Sequence, residues 1–469
     1  MSATPRIQLA LVALLMGSQP ARSEVLVETG LEVFERRQST IEGLHRLSIG
    51  WSFGSHLYLA ETLYSAALGD AGGAFFWGGE LGTHLPLTDR SALDLAVFLG
   101  GGGGAAQVPG DGLMMRASAG LALPLGARTE LGLGLAWTRI EGSEIDTPSL
   151  TLGTRYRSGD RQSPARTPLE LRAAAPILRS YNVPDGVVAR SGQAQGDVAL
   201  TGIDLFFALD PTHDLLLGGD GAIAGDGEGF MDVHFGLRRT WPGRDLDLFG
   251  EGWIGFGGGG DLDTGAGLMA GLGLGTGVKL TRVINLELGL QGVASPDGSF
   301  AALSPYVRAA RVFRGEDRAP ADRQLRLSTG LSHQRETPSL RRGDLREGGV
   351  SMHRFALEIG HDPGLFFSGE AQTTVGGGAG GYAMGLLGIG YRQDLRGPVS
   401  LRGEILLGGA GGGGIDTRGG LVGEARVGLE YELAGGPVLE IMAGHLQTVP
   451  PGGLASTTLG VGLAIPFGM

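Results

Sequence analysis

The stretch STTLGVGLAIPF, residues 456–467, alternates apolar residues with small ones almost to its end. A period of two places successive side chains on opposite faces of an extended chain. The stretch therefore predicts a β-strand with one apolar face and one face of small residues. The residues of the apolar face are Leu459, Val461, Leu463, Ile465 and Phe467.

The same alternation recurs along the chain, as in TELGLGLAWT at residues 129–138 and EARVGLEYEL at residues 424–433. The segments between such stretches are short and rich in Asp, Gly, Pro and Arg, which are residues that favour turns. Beyond the first residues, no stretch has the pattern of a helix. The sequence therefore predicts an all-β protein.

The first residues have the pattern of an export signal. Arg6 precedes an apolar core at Ile7–Met16, and the small residues Ala21 and Ser23 suit a cleavage site before Glu24. This apolar core is too short to cross a bilayer as a helix. Residues 1–23 are therefore predicted to be a signal peptide that is cleaved on export.

The composition narrows the class of protein further. The chain of 469 residues has no cysteine, which excludes disulfides and a lipid-anchored cysteine. Its formal net charge is −12 and it contains no basic tract, so nucleic acid is not an expected partner. Glycine supplies 89 residues and is concentrated in three runs, at 100–104, 257–260 and 411–414.

Internal repetition is visible when three segments are aligned without gaps. LMMRASAGLALPL, LMAGLGLGTGVKL and LVGEARVGLEYEL then place Gly120, Gly275 and Gly428 in register. The repetition predicts three copies of one unit, at residues 24–161, 162–318 and 319–469. Each unit is predicted to contain eight strands. In the third unit they span approximately 325–334, 352–360, 365–374, 382–392, 399–409, 421–433, 439–447 and 456–467.

An even number of alternating strands of about ten residues, with tight turns on one side, is typical of transmembrane β-barrels. The mature chain resembles bacterial outer-membrane β-barrel proteins, and each unit resembles the small eight-stranded OmpA/OmpX type. The resemblance implies an up-and-down antiparallel transmembrane barrel in the outer membrane of a Gram-negative cell. It also implies outer-membrane lipid and the outer-membrane insertion machinery as partners. The resemblance supplies no active site. No cofactor and no metal are predicted, and the ligand is unknown.

Two arrangements of the strands are open: three tandem eight-stranded barrels, or one barrel of 24 strands. Units of this size suit small barrels that close on themselves, whereas a 24-stranded barrel would enclose a wide lumen that needs a plug. The connections SGDRQSPART, at 158–167, and RGEDRAPADR, at 314–323, have the composition of linkers. We therefore expect three barrels, in which the first and eighth strands of each unit pair.

Acidic residues fall into register in three strands of each unit. The second and third acids of each unit are separated by the same interval, as in Asp94 and Glu130. All are expected to face the barrel interior, either in buried pairs with arginine or as carboxylate rings of a cation-selective lumen. Arg326, Arg354, Arg402 and Arg426 are the expected partners in the third unit, and Arg172 and Arg238 are candidates in the second. The acids are Glu61, Asp94, Glu130, Asp220, Glu251, Glu287, Glu370, Glu404 and Glu440.

The glycine runs lie at the predicted connection between the fifth and sixth strands. There they would permit the dihedrals of the reversal and remove side chains where the walls of a narrow barrel converge. A calcium-binding β-roll is the competing interpretation, but only GGGGID at 411–416 fits the start of its motif.

No catalytic constellation emerges from the histidines, so the chain is not expected to be an enzyme. His45 and His353 lie in equivalent second strands, where they are expected near the membrane interface, and the tryptophans are expected to anchor in lipid. The predicted function is a structural or interaction role in the outer membrane with side-chain-filled barrels. The alternative is a porin-like, cation-preferring channel formed by one large barrel.

Overall fold

The computed structural model describes most of the chain that follows the predicted signal peptide. Residues 1–23 and the predicted linker residues 158–167 and 314–322 lie outside the described part. In the described part, no helix is long and apolar enough to cross a membrane. The described residues are 25–35, 40–53, 56–69, 71–88, 90–104, 112–126, 128–157, 170–244, 246–281, 283–312, 323–335, 349–361, 363–433 and 437–468.

The described residues form 24 antiparallel strands in three groups of eight. Barrel 1 contains β1 Val25–Phe34, β2 Ile41–Phe53, β3 Leu57–Gly69, β4 Phe75–Thr88, β5 Ser91–Gly103, β6 Leu113–Pro124, β7 Thr129–Ile140 and β8 Asp146–Arg157. Barrel 2 contains β9 Glu170–Tyr181, β10 Val198–Ala208, β11 His213–Gly225, β12 Met231–Trp241, β13 Leu246–Gly258, β14 Leu268–Lys279, β15 Ile284–Ala294 and β16 Ala301–Val312. Barrel 3 contains β17 Arg323–Gln334, β18 Val350–His361, β19 Gly364–Gly376, β20 Ala383–Asp394, β21 Val399–Gly411, β22 Leu421–Glu432, β23 Val438–Thr448 and β24 Ala455–Gly468.

Each group of eight strands closes on itself. In barrel 1, β1 pairs with β8 so that Val27 lies opposite Tyr156. In barrel 3, β17 pairs with β24 so that Leu325 lies opposite Phe467. Barrel 2 closes through β9 and β16. The prediction of three tandem barrels is confirmed, and the alternative of one 24-stranded barrel is wrong.

The strands of barrel 3 agree closely with the sequence prediction, because alternation and turn residues mark both ends of each strand. The observed ends differ from the predicted ends by at most two residues in all eight strands. The apolar face of each strand points away from its own barrel. Leu272, Leu274 and Ile405, for example, are 75%, 69% and 67% exposed, while the opposite face carries the charged residues described below.

The three barrels also pack against one another in a ring. The third strand of each barrel contacts the fifth strand of another: β3 contacts β13, β11 contacts β21, and β19 contacts β5. We call these contacts seam 1–2, seam 2–3 and seam 3–1, after the barrels that they join. Because the same pair of strands forms each seam, the ring closes around a pseudo-threefold axis within one chain.

Candidate functional site: barrel interiors and the three-barrel junction

The interior of barrel 3 holds an ion network centred on Arg402, beside a buried apolar cluster that includes Met384, Leu406 and Leu446. The Arg402 side chain is 1% exposed and contacts four glutamates. Its nitrogen atoms lie 2.7 Å from Glu358, 2.8 Å from Glu404, 3.2 Å from Glu430 and 3.0 Å from Glu440. A buried guanidinium with several carboxylate partners satisfies the requirement that buried charge be paired and hydrogen-bonded.

Barrel 2 has an equivalent centre at Arg308, which is fully buried. Its guanidinium lies 2.6 Å from Asp204, 3.1 Å from Glu251 and 3.1 Å from Glu287. A second arginine, Arg238, binds Glu287 at 2.7 Å. The acids of this barrel therefore also occupy its bore as partners of arginine.

Barrel 1 contains a similar but more divided network. Arg46 and Arg155 both bind Glu28, and Arg46 also binds the fully buried Glu80. Near one end of this barrel, Arg155 reaches Asp94 at 2.9 Å. The three interiors therefore share one chemistry, although the positions of their arginines differ.

The structure places eight of the nine acids that the sequence singled out inside the barrels; these are Asp94 and Glu130, Asp220, Glu251 and Glu287, and Glu370, Glu404 and Glu440. Arg238 lies in the network of barrel 2, whereas Arg172 lies near the first residue of β9, at one end of the barrel, 3.0 Å from Asp214. Aligning the sequences of the three units does not identify interior charges that occur in only one or two of them. The alternation of inward and outward side chains along each strand could have identified these residues. These residues are Glu28, Glu32, Glu80, Asp204, Asp232, Glu358, Glu424, Glu430, Arg46, Arg116, Arg155, Arg179, Arg308 and Arg392.

The ninth acid, Glu61, does not face the interior of barrel 1, and that expectation is wrong. Glu61 lies on the outer face of β3, where it accepts a hydrogen bond from Trp77 Nε1 at 3.0 Å. Its Oε2 also lies 3.0 Å from His353 Nε2 of barrel 3. On β3, Glu61 has the parity of Leu59 and Leu63, so its own strand places it outside.

The two histidines of the equivalent second strands both lie between barrels. His353 lies in seam 3–1, as described above, and His45 lies in seam 1–2. The His45 ring stacks on Phe256 of barrel 2, with the ring centroids 4.4 Å apart. Both histidines are buried or half-buried in a barrel–barrel contact, and their place near a membrane interface stays a prediction.

The glycine runs also belong to the seams. A Cβ atom on Gly411 would lie 2.5 Å from the Cα of Gly229, which is closer than packed atoms approach. Positive φ at Gly103, Gly259 and Gly412 fits the expected role of these runs in the reversal of the chain. The expected close approach of walls within one barrel is replaced by a close approach between barrels. The pairs of glycines are Gly73 with Gly258, Gly229 with Gly411, and Gly381 with Gly103.

Hydrogen bonds reinforce each glycine contact. In seam 1–2, Gly72 N–H donates to Gly265 O at 3.1 Å, and in seam 3–1, Gly381 N–H donates to Gly102 O at 2.8 Å. In seam 2–3, the Thr417 hydroxyl donates to Glu228 at 2.7 Å. The backbones can pair between barrels because no side chain separates them.

A cavity of about 1070 Å³ lies where the three barrels meet. We call it the axial cavity. Residues of all three barrels line it, including Trp77 of barrel 1, Val233 of barrel 2 and Ala371 of barrel 3. The segment 189–195 of barrel 2, between β9 and β10, also contributes to its wall.

The connections of barrel 2 near this cavity are tied together by Asp263, which lies between β13 and β14. Its carboxylate accepts a hydrogen bond from Ser299 N–H at 2.9 Å, and its carbonyl oxygen accepts one from Phe300 N–H at 3.0 Å. Partial burial acts to raise the pKa of Asp263, but the hydrogen bonds from Ser299 and Gly265 outweigh it and lower that pKa. The carboxylate is therefore a stable acceptor in this connection.

Asp220, Asp232 and His234 of barrel 2 lie close enough to suggest a metal site, with ligand atoms within 4.8 Å of one another. Both nitrogens of His234 are engaged, however: Nδ1 lies 2.8 Å from Asp232 and Nε2 lies 3.1 Å from Asp204. A histidine between two carboxylates acts as a doubly protonated donor and offers no lone pair to a metal. The group belongs to the ion network of barrel 2.

Comparison with known proteins gives only distant likenesses. No protein-family model and no curated protein matches the chain. OpdQ of Pseudomonas aeruginosa matches at 11% identity with a TM-score of 0.23, over 95% of this chain and 98% of that chain. The siderophore receptor PirA of Acinetobacter baumannii matches at 10% identity with a TM-score of 0.29, over 96% of this chain and 81% of that chain. A ferric enterobactin receptor (PfeA) mutant of P. aeruginosa matches at 10% identity with a TM-score of 0.30 and the same coverage.

Because these identities and TM-scores are low, the class of the protein is defined here by its strand pairing and its side chains. The chain is a single polypeptide of three closed β-barrels, with apolar residues on the outer faces and with both paired charges and apolar clusters inside.

Proposed function

We propose that the chain resides in the outer membrane of a Gram-negative cell, where its three barrels span the bilayer side by side. Among the described strands, each barrel leaves no unpaired edge, which is the condition for β-structure to cross hydrocarbon. Strands of 10–14 residues have the required length. The outer faces carry exposed leucine, isoleucine and valine, including Leu150 at 66% and Val427 at 62% exposure.

We further propose a structural or interaction role, with barrels that do not conduct ions. The observation that carries this proposal is Arg402, which lies across the interior of barrel 3 within 3.2 Å of four carboxylates. An eight-stranded barrel is just wide enough for its side chains to fill it. An ion could pass only by displacing this guanidinium from its partners.

A porin-like, cation-preferring channel is the less favoured function. The channel was expected to form from one large barrel, whereas the strands pair to form three small barrels. The acids that would line such a channel bind arginines, as Glu370 binds Arg354 and Arg426, both at 2.6 Å. The proposal includes no catalytic activity, no cofactor and no nucleic-acid partner. Its partners are outer-membrane lipid and the insertion machinery of that membrane.

Cell fractionation combined with bilayer conductance tests the proposal. The mature protein should appear in the outer-membrane fraction and migrate on a gel as a heat-modifiable species. Reconstituted in a planar bilayer, it should give no conductance above that of the protein-free bilayer, whereas an open porin gives clear steps at the same density. A soluble protein in the periplasm would contradict the location. A cation-selective current whose selectivity changes in Glu440→Leu would contradict the closed barrels.

A further inference from the structure

The axial cavity is built by the assembly of the barrels, since its walls come from all three of them. Its volume of about 1070 Å³ is that of a ligand-binding pocket, for which roughly 300–1,000 Å³ is typical. Packed protein contains few voids larger than a water molecule. A space of this size between barrels is therefore large enough to hold a bound molecule.

One wall of the axial cavity is apolar. It is made by outward-facing side chains of strands that lie at the seams, and these faces elsewhere on the barrels are the exposed apolar ones. Water in such a region would lack hydrogen-bond partners, whereas a hydrocarbon chain would recover the lost contacts. The apolar lining residues are Leu63, Phe75, Trp77, Met231, Val233 and Ala371.

The other wall of the cavity is polar and consists of glycine backbone and the segment 189–195. Gln195 lines it and is 8% exposed. Its side-chain Nε2 donates to the carbonyl oxygens of Gly196 and Asp226, at 3.1 and 3.0 Å. Its Oε1 is buried and has no hydrogen-bond donor among the described residues. This acceptor therefore has capacity for one more hydrogen bond, which a donor on a bound molecule could supply.

Three acids and one arginine, Arg190, line this part of the cavity, so acidic side chains are in excess there. Glu228 accepts from the Thr417 hydroxyl, and Asp261 accepts from the Ser191 N–H at 3.0 Å. Asp226 is the third acid of this wall. A negatively charged head group would be repelled by these carboxylates. An uncharged head group that donates a hydrogen bond fits the wall better.

We propose that the axial cavity binds a membrane amphiphile with a single hydrocarbon chain and an uncharged, hydroxyl-bearing head. The chain packs against Leu63, Trp77 and Val233, and the hydroxyl donates to Gln195 Oε1. This inference rests on the proposed membrane location, since the ligand is drawn from the bilayer. It assigns a binding site to the junction, which the structural role proposed above does not require.

Fluorescence quenching of Trp77 tests the inference in the full chain. Trp51, Trp137 and Trp241 are replaced by Phe, which leaves Trp77 in the cavity and Trp253, 3% exposed, inside barrel 2. The protein is reconstituted in phosphatidylcholine vesicles and titrated with a long-chain alcohol that carries bromine near its methyl end. The expected result is quenching of Trp77 that saturates with the probe concentration.

Two variants separate cavity binding from general contact with lipid. Ala371→Phe combined with Ala383→Phe fills the cavity from barrel 3 and should weaken the saturable quenching at least tenfold. Ala443→Phe, on the exposed outer face of β23, is the matched control and should leave it unchanged. Heat-modifiability on a gel verifies that each variant is folded.

A third variant tests which head group the cavity prefers. This test stays informative if the two phenylalanines of the filled cavity disturb the packing of the barrels. In the parent protein, the brominated alcohol should bind several-fold more tightly than the brominated alkane of equal length. Gln195→Met removes the unpaired acceptor and should abolish this preference. Equal binding of the two probes in the parent protein would overturn the assignment of the head group.

Two outcomes overturn the inference as a whole. One is quenching that rises without saturation and is unchanged by the filled cavity. The other is an ionic current that the filled cavity abolishes, which would identify a water-filled pore along the axis. Either result would leave the fractionation test of the outer-membrane location standing, so failure of this site is distinct from failure of the proposed function.

Discussion

Gly73 of barrel 1 and Gly258 of barrel 2 meet backbone to backbone across seam 1–2. A Cβ atom on Gly258 would lie 2.5 Å from the amide nitrogen of Gly73. Gly73 has a φ of 88°, which favours glycine by itself, whereas Gly258 is not in the left-handed region. The close approach between barrels is therefore the reason for glycine at position 258.

Gly258→Ala is predicted to destabilise seam 1–2 by about 1–3 kcal/mol, because a methyl group there overpacks a backbone contact. Thermal unfolding in detergent measures the effect as a lower midpoint. Gly292→Ala is the control, since a Cβ atom at that position of β15 meets no atom of the described part of the chain within 4 Å. Equal midpoints for the two variants would contradict the role of Gly258 in the seam.

Glu61 and His353 are predicted to be energetically coupled across seam 3–1. The variants Glu61→Ala and His353→Ala each remove one end of the 3.0 Å contact, so the double variant should cost less than the sum of the two. A coupling energy of about 0.5–3 kcal/mol is expected for residues in direct contact. Chemical unfolding of the four proteins gives this quantity. If the two changes in the free energy of unfolding add, the residues do not interact and the prediction is wrong.

Glu440→Leu is predicted to lower stability by about 3 kcal/mol, because it removes one carboxylate from a buried network that holds Arg354 and Arg402. The conductance of a reconstituted bilayer should stay unchanged. The same substitution at the exposed Glu432, at the end of β22, should leave stability unchanged. A change in ion selectivity with little change in heat resistance would instead identify Glu440 as a lining residue of an open bore.

Barrel 3 is predicted to fold alone. Residues 319–469, expressed behind a signal peptide, retain the pairing of β17 with β24 and therefore present no open edge to lipid. The fragment should resist protease and migrate as a heat-modifiable species on a gel. Residues 319–447 lack β24 and serve as the control, which should be degraded because two strand edges are left open. Aggregation of the complete fragment would show that closure of the barrel depends on the seams.

The strands and their closure could be predicted from the sequence because both depend on local patterns. Alternation defines each strand, and the turn residues define its ends within two residues in barrel 3. The ion networks were predictable in kind, since charge on the inner face of a narrow barrel has to be paired. The central role of Arg308 could not be predicted, because aligning the three units identifies positions that are charged in every unit and passes over positions that are charged in only one.

The seams could not be predicted, because they join residues that no local pattern connects. Glu61 and His353 are 292 residues apart in sequence. The expectation for Glu61 failed because comparison of units outweighed the parity of β3, which places this residue on the leucine face. The sequence suggests a role for the glycine runs within one barrel, whereas their partners are glycines in a neighbouring barrel.

The closed ring has a consequence for how its contacts are maintained. Because all three barrels belong to one polypeptide, their docking is intramolecular, and their effective concentration is independent of the abundance of the protein in the membrane. The stoichiometry is fixed, and no exchange of subunits can mix copies. In a homotrimer every substitution would recur three times, whereas here the stack of His45 on Phe256, the bond from Thr417 to Glu228 and the contact of Glu61 with His353 each occupy one seam. Each junction can therefore acquire its own chemistry while the other two keep the assembly together.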